Sequence, residues 1–185
     1  LCDGAFAVLC LVSYVFLLRV PSEAIPMRYG GTGSKAHVPA QQSVLHFEDD
    51  EVVLRLAKRK NRRWGSVLRR RCSCSICAVT CPVHALRAAC SGLEIGQRIF
   101  PKRTGTSVNR ELRALLLDLS VQDAASYRAH DFRRGHAEDM RKAGCSLTHI
   151  MKLGEWDSPS VFQYVDVSKL EADAVLATVL EEESD

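Results

Sequence analysis

Four side chains able to bind an anion or act as nucleophile or donor, His130, Arg133, Trp156 and Tyr164, fall within a single stretch of 35 residues. His130 and Arg133 stand at i and i+3 in His130-Asp131-Phe132-Arg133-Arg134-Gly135-His136-Ala137, so on a helix they share one face and can reach one anion. A phenol can act as a nucleophile that forms a covalent intermediate. A guanidinium grips non-bridging oxygens bidentately and counts most as charge builds in the transition state. An imidazole of near-neutral pKa can bind phosphate and manage a proton. Each group taken singly also has a plainer use: a core-lining His, a packing Trp, a Tyr whose hydroxyl bonds to backbone.

The elements that must position these groups are readable from pattern. Residues 129–143 read as the central helix, stopped by Gly144. Ser146 caps a following helix with Leu147, Ile150 and Met151 turned inward, which Gly154 ends. Ser158 or Ser160 then opens the segment bearing Tyr164, and residues 169–182 form an amphipathic helix. Tyr127, the competing phenol, lies three residues before His130 on the approach to the central helix and is rejected as nucleophile.

Upstream, residues 5–18 form an apolar helix. The run of about 14 residues is shorter than the ~20 a membrane span needs and has no basic leader, so a buried core helix is expected. Pro21 ends it and biases Val20 toward an extended conformation, and Ser22 is placed to cap a new turn holding Glu23. Arg19 is thereby held at a helix junction with a carboxylate near it. The Gly30-Gly31-Thr32-Gly33-Ser34 stretch reads as a flexible turn; no Lys-Ser/Thr pair follows at P-loop spacing, so nothing points to nucleotide hydrolysis. Residues 51–56 and 66–70 read as a hairpin across the turn 61–65. A basic cluster rides on it: Arg55, Lys58, Arg59, Lys60, Arg62, Arg63, Arg69, Arg70 and Arg71, either a solvated face or a phosphate-contacting one. Short and longer helices are expected at 82–89 and 107–119, the second capped by Ser107, with a mobile basic loop at 102–105 between them.

Cys72, Cys74, Cys77, Cys81 and His84 form a separate group. Four of the five suffice for a tetrahedral zinc site that would staple structure and take no part in catalysis. The spacing matches no standard finger, and free thiols packing as small apolar residues remain the alternative.

Composition sets the bounds. The 185 residues, 46% hydrophobic and 25% charged, suit one globular domain, and a net charge of +3 announces no nucleic-acid partner until its clustering is seen. Five of the eight Cys bunch between 72 and 90, unlike a secreted disulfide framework, so a reduced intracellular setting is expected. The chain starts without Met inside an apolar run, which leads to the expectation of a fragment of a longer protein.

The pattern His130-x-x-Arg133-Arg134-Gly135-x-Ala137, then Gly154 and Trp156, then Tyr164 eight residues on, resembles the catalytic domain of tyrosine recombinases (the phage integrase family). The resemblance implies an α+β, mainly α-helical domain over residues 1–185, with a small β-hairpin or sheet and without the family's N-terminal DNA-clamping domain. It implies metal- and ATP-independent cleavage and rejoining of DNA through a 3′-phosphotyrosyl intermediate, with no cofactor. Roles carry over to Arg19, Lys60 (Lys58 as alternative general acid), His130, Arg133, Trp156 and the nucleophile Tyr164, with Glu23 behind Arg19, one residue further along than the family's Arg-x-x-Glu-like setting. Trp156 stands where many relatives have His, keeping an N–H donor but no proton shuttle. Arg59, Arg62 and Arg63 are the implied DNA contacts. Duplex DNA and a homotetramer on it are the implied partners, with the 169–182 helix docking in trans or packing in cis, and no membrane. The location would be intracellular, nuclear if the source is eukaryotic, and the Cys-rich insertion looks more like recombinases of eukaryotic mobile elements. A type IB topoisomerase-like relaxing activity and a decayed, non-catalytic DNA-binding module remain the alternatives.

Overall fold

The structure, a computed structural model, describes residues 3–33, 36–59, 62, 64–156 and 159–165. The chain divides into two compact units, Leu1–Phe132 and Arg133–Asp185, with the boundary inside one helix. The fold is α+β.

In the first unit, α1 (Gly4–Val15) opens on Asp3, whose side chain accepts from the Ala5 N–H at 3.0 Å. It buries Phe6, Leu9, Val12 and Ser13 and stops three residues earlier than its apolar run. The stop is made by Leu17, held at a left-handed φ of 53°, while Leu18 N–H reaches back to the Ser13 carbonyl at 2.9 Å. A left-handed conformation at a non-glycine residue costs about 1–2 kcal/mol, and the fully buried Leu17 side chain offsets it. Among the described residues no helix is long and apolar enough to cross a membrane.

A four-stranded sheet follows, ordered β1 (Arg28–Thr32), β2 (Val44–Glu48), β3 (Glu51–Leu56) and β4 (Ser66–Arg71). β1 runs parallel to β2, and the other two pairs are antiparallel. The β3–β4 pair sits where alternation places it. The expected glycine turn is instead a strand: Gly30 and Gly31 belong to β1, where a register shift lies between Tyr29 and Thr32. Glycine is required there because a Cβ on Gly30 would run into the Val44 side chain, and Gly31 has φ 94°. Val52, Leu54 and Leu56 join Phe6, Leu9, Phe16, Leu45 and Phe47 in the unit's core.

Helix α2 (Pro82–Cys90) begins with Pro at its first position, and α3 (Gly105–Asp118) is capped by Thr104. Ser107, expected as the cap, is the third residue of α3 and returns a bond to the Thr104 N–H at 3.0 Å, a capping box. Nor is the basic loop before α3 loose: Arg103 pairs with Asp3 and Glu111 and lies 5.6 Å over the Phe6 ring.

Part of the basic cluster on the hairpin is engaged within the fold. Arg69 pairs with Glu48 and Glu51, Arg71 with Glu51 at 2.8 Å, and Arg70 donates twice to the Val15 carbonyl at 3.1 and 3.0 Å over the Phe16 ring. The hydrogen bond from Arg69 holds Glu48 below its ordinary value, and that from Arg71 does the same for Glu51. Of the expected phosphate-facing set, Arg55, Lys58 and Arg62 are exposed, whereas Lys60 and Arg63 lie outside the described residues.

Arg59 differs most from expectation. It is 3% exposed; its Nε lies 3.5 Å from Glu23, itself 2% exposed, and its Nη2 donates to the Leu17 carbonyl at 3.1 Å. In this pose its guanidinium is committed to Glu23 and the Leu17 carbonyl, where the resemblance implies an outward DNA contact. Removing one partner of such a buried pair leaves an uncompensated charge, worth about 3–5 kcal/mol. Glu23→Ala is therefore expected to lower unfolding free energy by about that much in urea titration; a loss under about 1 kcal/mol, the value of an exposed pair, would refute the account.

In the second unit, α4 (Asp131–Lys142) ends at Gly144, φ 79°, with Cys145 N–H bonded to the Met140 carbonyl at 3.0 Å. The helix is shorter at its start than the 129–143 reading, so His130 lies in the turn before it instead of on its face. α5 (Leu147–Gly154) is capped by Ser146, which accepts from the His149 N–H at 3.3 Å, and closes on Glu155 at φ 50°. A 3-10 turn over Pro159–Gln163 leads to Tyr164. Ser158 and the 169–182 helix expected after Tyr164 lie outside the described residues.

Candidate active site

Arg19 stands at the mouth of a single π-type turn, Val20–Ala24, entered through Pro21. Ser22 does not cap it; Glu23 does that work. Its carboxylate accepts from the Arg19 backbone N–H at 2.8 Å and from Arg19 Nη1 at 2.9 Å. A π turn takes in one residue more than an α turn. Here that turn brings a carboxylate four positions on back over the guanidinium. With Arg59 on the same carboxylate, Glu23 aligns two arginines from segments 40 residues apart in sequence.

Arg19 lines a recess of about 300 Å³ together with Pro21, Ser22, Asn109, Arg128 and His130. Two groups separated by 111 positions, Arg19 and His130, thus meet at one concavity of the first unit. Asn109 positions the His130 approach by accepting the Ala129 N–H at 2.8 Å on its side-chain oxygen, and Asp131 accepts the Arg128 N–H at 2.7 Å. Arg128 and Asn109 were missed in the sequence. Arg128 has a signal there, lying two residues before His130, but Asn109 on α3 has none. Trp64 was also overlooked: beside Arg62 it is 91% exposed, an aromatic face among basic groups. Tyr127 is exposed at the end of a 3-10 turn.

The second unit gathers the other three predicted groups. Arg133 is 1% exposed, donates from Nη2 to the Gly154 carbonyl at 2.7 Å and lies 4.2 Å above the Trp156 ring. The Trp156 and Tyr164 rings are 5.2 Å apart at 43°. Arg134, the next residue of α4, donates to the Gln163 carbonyl at 3.2 Å and so fastens the turn that carries Tyr164. Trp156 is 5% exposed, yet its indole N–H has no hydrogen-bond partner among the described residues. A buried donor left unmade costs roughly 1–3 kcal/mol, so this N–H has a strong demand for an acceptor.

Away from these groups, Cys72, Cys74, Cys81 and His84 bring their sulfur and imidazole atoms within 4.8 Å of one another, while Cys77 stands apart and exposed.

Gly154 sets the Trp156 pose. A Cβ there would occupy the space of the indole's six-membered ring. Gly154→Ala should expel the ring and cost about 1–3 kcal/mol as an overpacking substitution. In a Trp64→Phe background, which leaves Trp156 as the single Trp, a red shift of its emission reads the expulsion; unchanged emission would rule the packing out.

No family model, no curated protein and no solved structure matches the chain.

Proposed function

We propose that this protein cleaves and rejoins DNA strands by transesterification through a 3′-phosphotyrosyl intermediate, as a recombinase or integrase. The observation that carries the reading is the packed Arg133–Trp156–Tyr164 cluster, with a buried indole N–H that no described residue accepts. The recess shared by Arg19 and His130 supports it from the other unit.

In the proposed step the Tyr164 oxygen attacks phosphorus, the Tyr–O–P bond forms and the bond to the 5′ oxygen breaks. His130 takes the phenolic proton and Lys60 or Lys58 delivers one to the departing 5′ oxygen. Arg19 and Arg133 bind the non-bridging oxygens, and the Trp156 N–H donates to the charge that builds there. Rejoining is the same step run backward from a 5′ hydroxyl, so the phosphodiester energy is kept and neither ATP nor a catalytic metal enters. Under this reading duplex DNA is the partner, the working form is a homotetramer on two duplexes, and the setting is intracellular.

A nicked suicide duplex tests it. The chain should form a covalent protein–DNA adduct that Tyr164→Phe abolishes, with the phosphate attached to the phenol. Trp156→Phe keeps a ring but removes the donor, and should slow adduct formation by about 10²-fold, the scale of losing one transition-state donor. An adduct that survives Tyr164→Phe places the nucleophile elsewhere, and DNA binding without any adduct leaves a non-catalytic module.

A further inference from the structure

The sulfur and imidazole group between β4 and α2 takes no part in the proposed DNA chemistry, and it has the geometry of a closed metal centre. We infer that Cys72, Cys74, Cys81 and His84 bind one zinc ion, which staples the end of β4 to the start of α2.

The argument rests on the distances. Cys72 Sγ lies 3.7 Å from Cys81 Sγ. His84 Nδ1 lies 3.7 Å from Cys72 Sγ, 3.1 Å from Cys74 Sγ and 3.4 Å from Cys81 Sγ. A tetrahedron with Zn–S of about 2.3 Å and Zn–N of about 2.0–2.1 Å has S···S edges of about 3.8 Å and S···N edges of about 3.5–3.6 Å. Four of the six edges are therefore at or near coordination length. Thiols packing as small apolar residues have no reason to converge on one imidazole nitrogen.

The local chain explains the convergence. Cys81 precedes α2 as its N-cap and His84 is the third residue of the helix, so the two stand one turn apart at its first turn. Cys72 directly follows β4 and is held by its N–H on the Asp50 carbonyl at 2.8 Å. A tight turn then brings Cys74 round, with the Ile76 and Cys77 N–H groups both on the Ser73 carbonyl at 2.9 Å. The Ser73 N–H points at Cys81 Sγ from 3.4 Å, the outer-shell donor that a zinc thiolate needs. Cys77 is exposed and outside the set, so the fold selects four ligands from the five groups in the sequence. Three thiolates and one imidazole with no open position make a structural site, not a hydrolytic one.

The loop between the second and third ligands has little else to fix it. Ile76 and Val79 are each 89% exposed, so hydrophobic burial does not hold residues 75–80. A metal ion replaces a core where the chain offers none.

The full chain, purified under reducing conditions without chelator, should carry one zinc per molecule by elemental analysis. Replacement by cobalt(II) should give the intense visible bands of a tetrahedral thiolate site. Cys74→Ser should weaken zinc binding by more than about 100-fold, beyond the 10–100-fold cost of losing an outer-shell partner. Cys77→Ser should leave affinity and cobalt spectrum unchanged, which keeps the test sound if Cys74→Ser folds poorly. Reduced protein that takes up no zinc or cobalt at micromolar concentration overturns the inference. So does a Cys77→Ser variant that loses the metal.

Discussion

Burying a carboxylate at 2% exposure is costly unless cations stand beside it, and Glu23 has two guanidinium groups against it. Much of the first unit is arranged around this requirement. Arg59 arrives from beyond β3 and also takes up the Leu17 carbonyl, just where the chain bends left-handed after α1. Arg19 arrives from the same bend, its own N–H on the carboxylate. Hairpin, helix end and π turn are thus joined at one ion cluster. The energetic penalty for getting any member wrong is what gives Arg19 a fixed direction.

The second unit reaches rigidity by another route. Arg133 is as deeply buried, and its partners include a backbone carbonyl and an aromatic face. A guanidinium suits this because it is weakly hydrated and flat, so it stacks and donates in its plane at once; an ammonium would do neither. Stacked Arg133, Trp156 and Tyr164 share one wall, and Arg134 holds the turn behind it. In each unit packing and hydrogen bonds hold an arginine in one pose, so its rotamer entropy is already lost.

Legibility followed the range of the interactions. Helix stops at Gly144, the Ser146 cap and the β3–β4 alternation are local, and the sequence displayed them. The basic cluster misled because its neutralisation is tertiary: Glu48 and Glu51 pair with Arg69 and Arg71 only once the strands are in register. Gly30 and Gly31 looked like a turn because a glycine demanded by a neighbour strand's Val44 is indistinguishable, in one sequence, from a glycine demanded by a bend. The zinc ligand set was half legible, since spacing exposed five groups and only the turn at Ser73 excluded Cys77. Asn109 left no trace, because a side-chain oxygen supporting a backbone amide 20 positions away follows no motif.

The fit of the Trp156 ring against bare Gly154 backbone has an evolutionary corollary. The two sites are locked in sign epistasis: a side chain at the first becomes admissible only after the second has shrunk to a smaller ring such as imidazole. A lineage exchanging the indole for a smaller side chain gains freedom at the preceding glycine. One that retains the indole stays confined to glycine there, and a search through variants must change both positions together to leave that ridge.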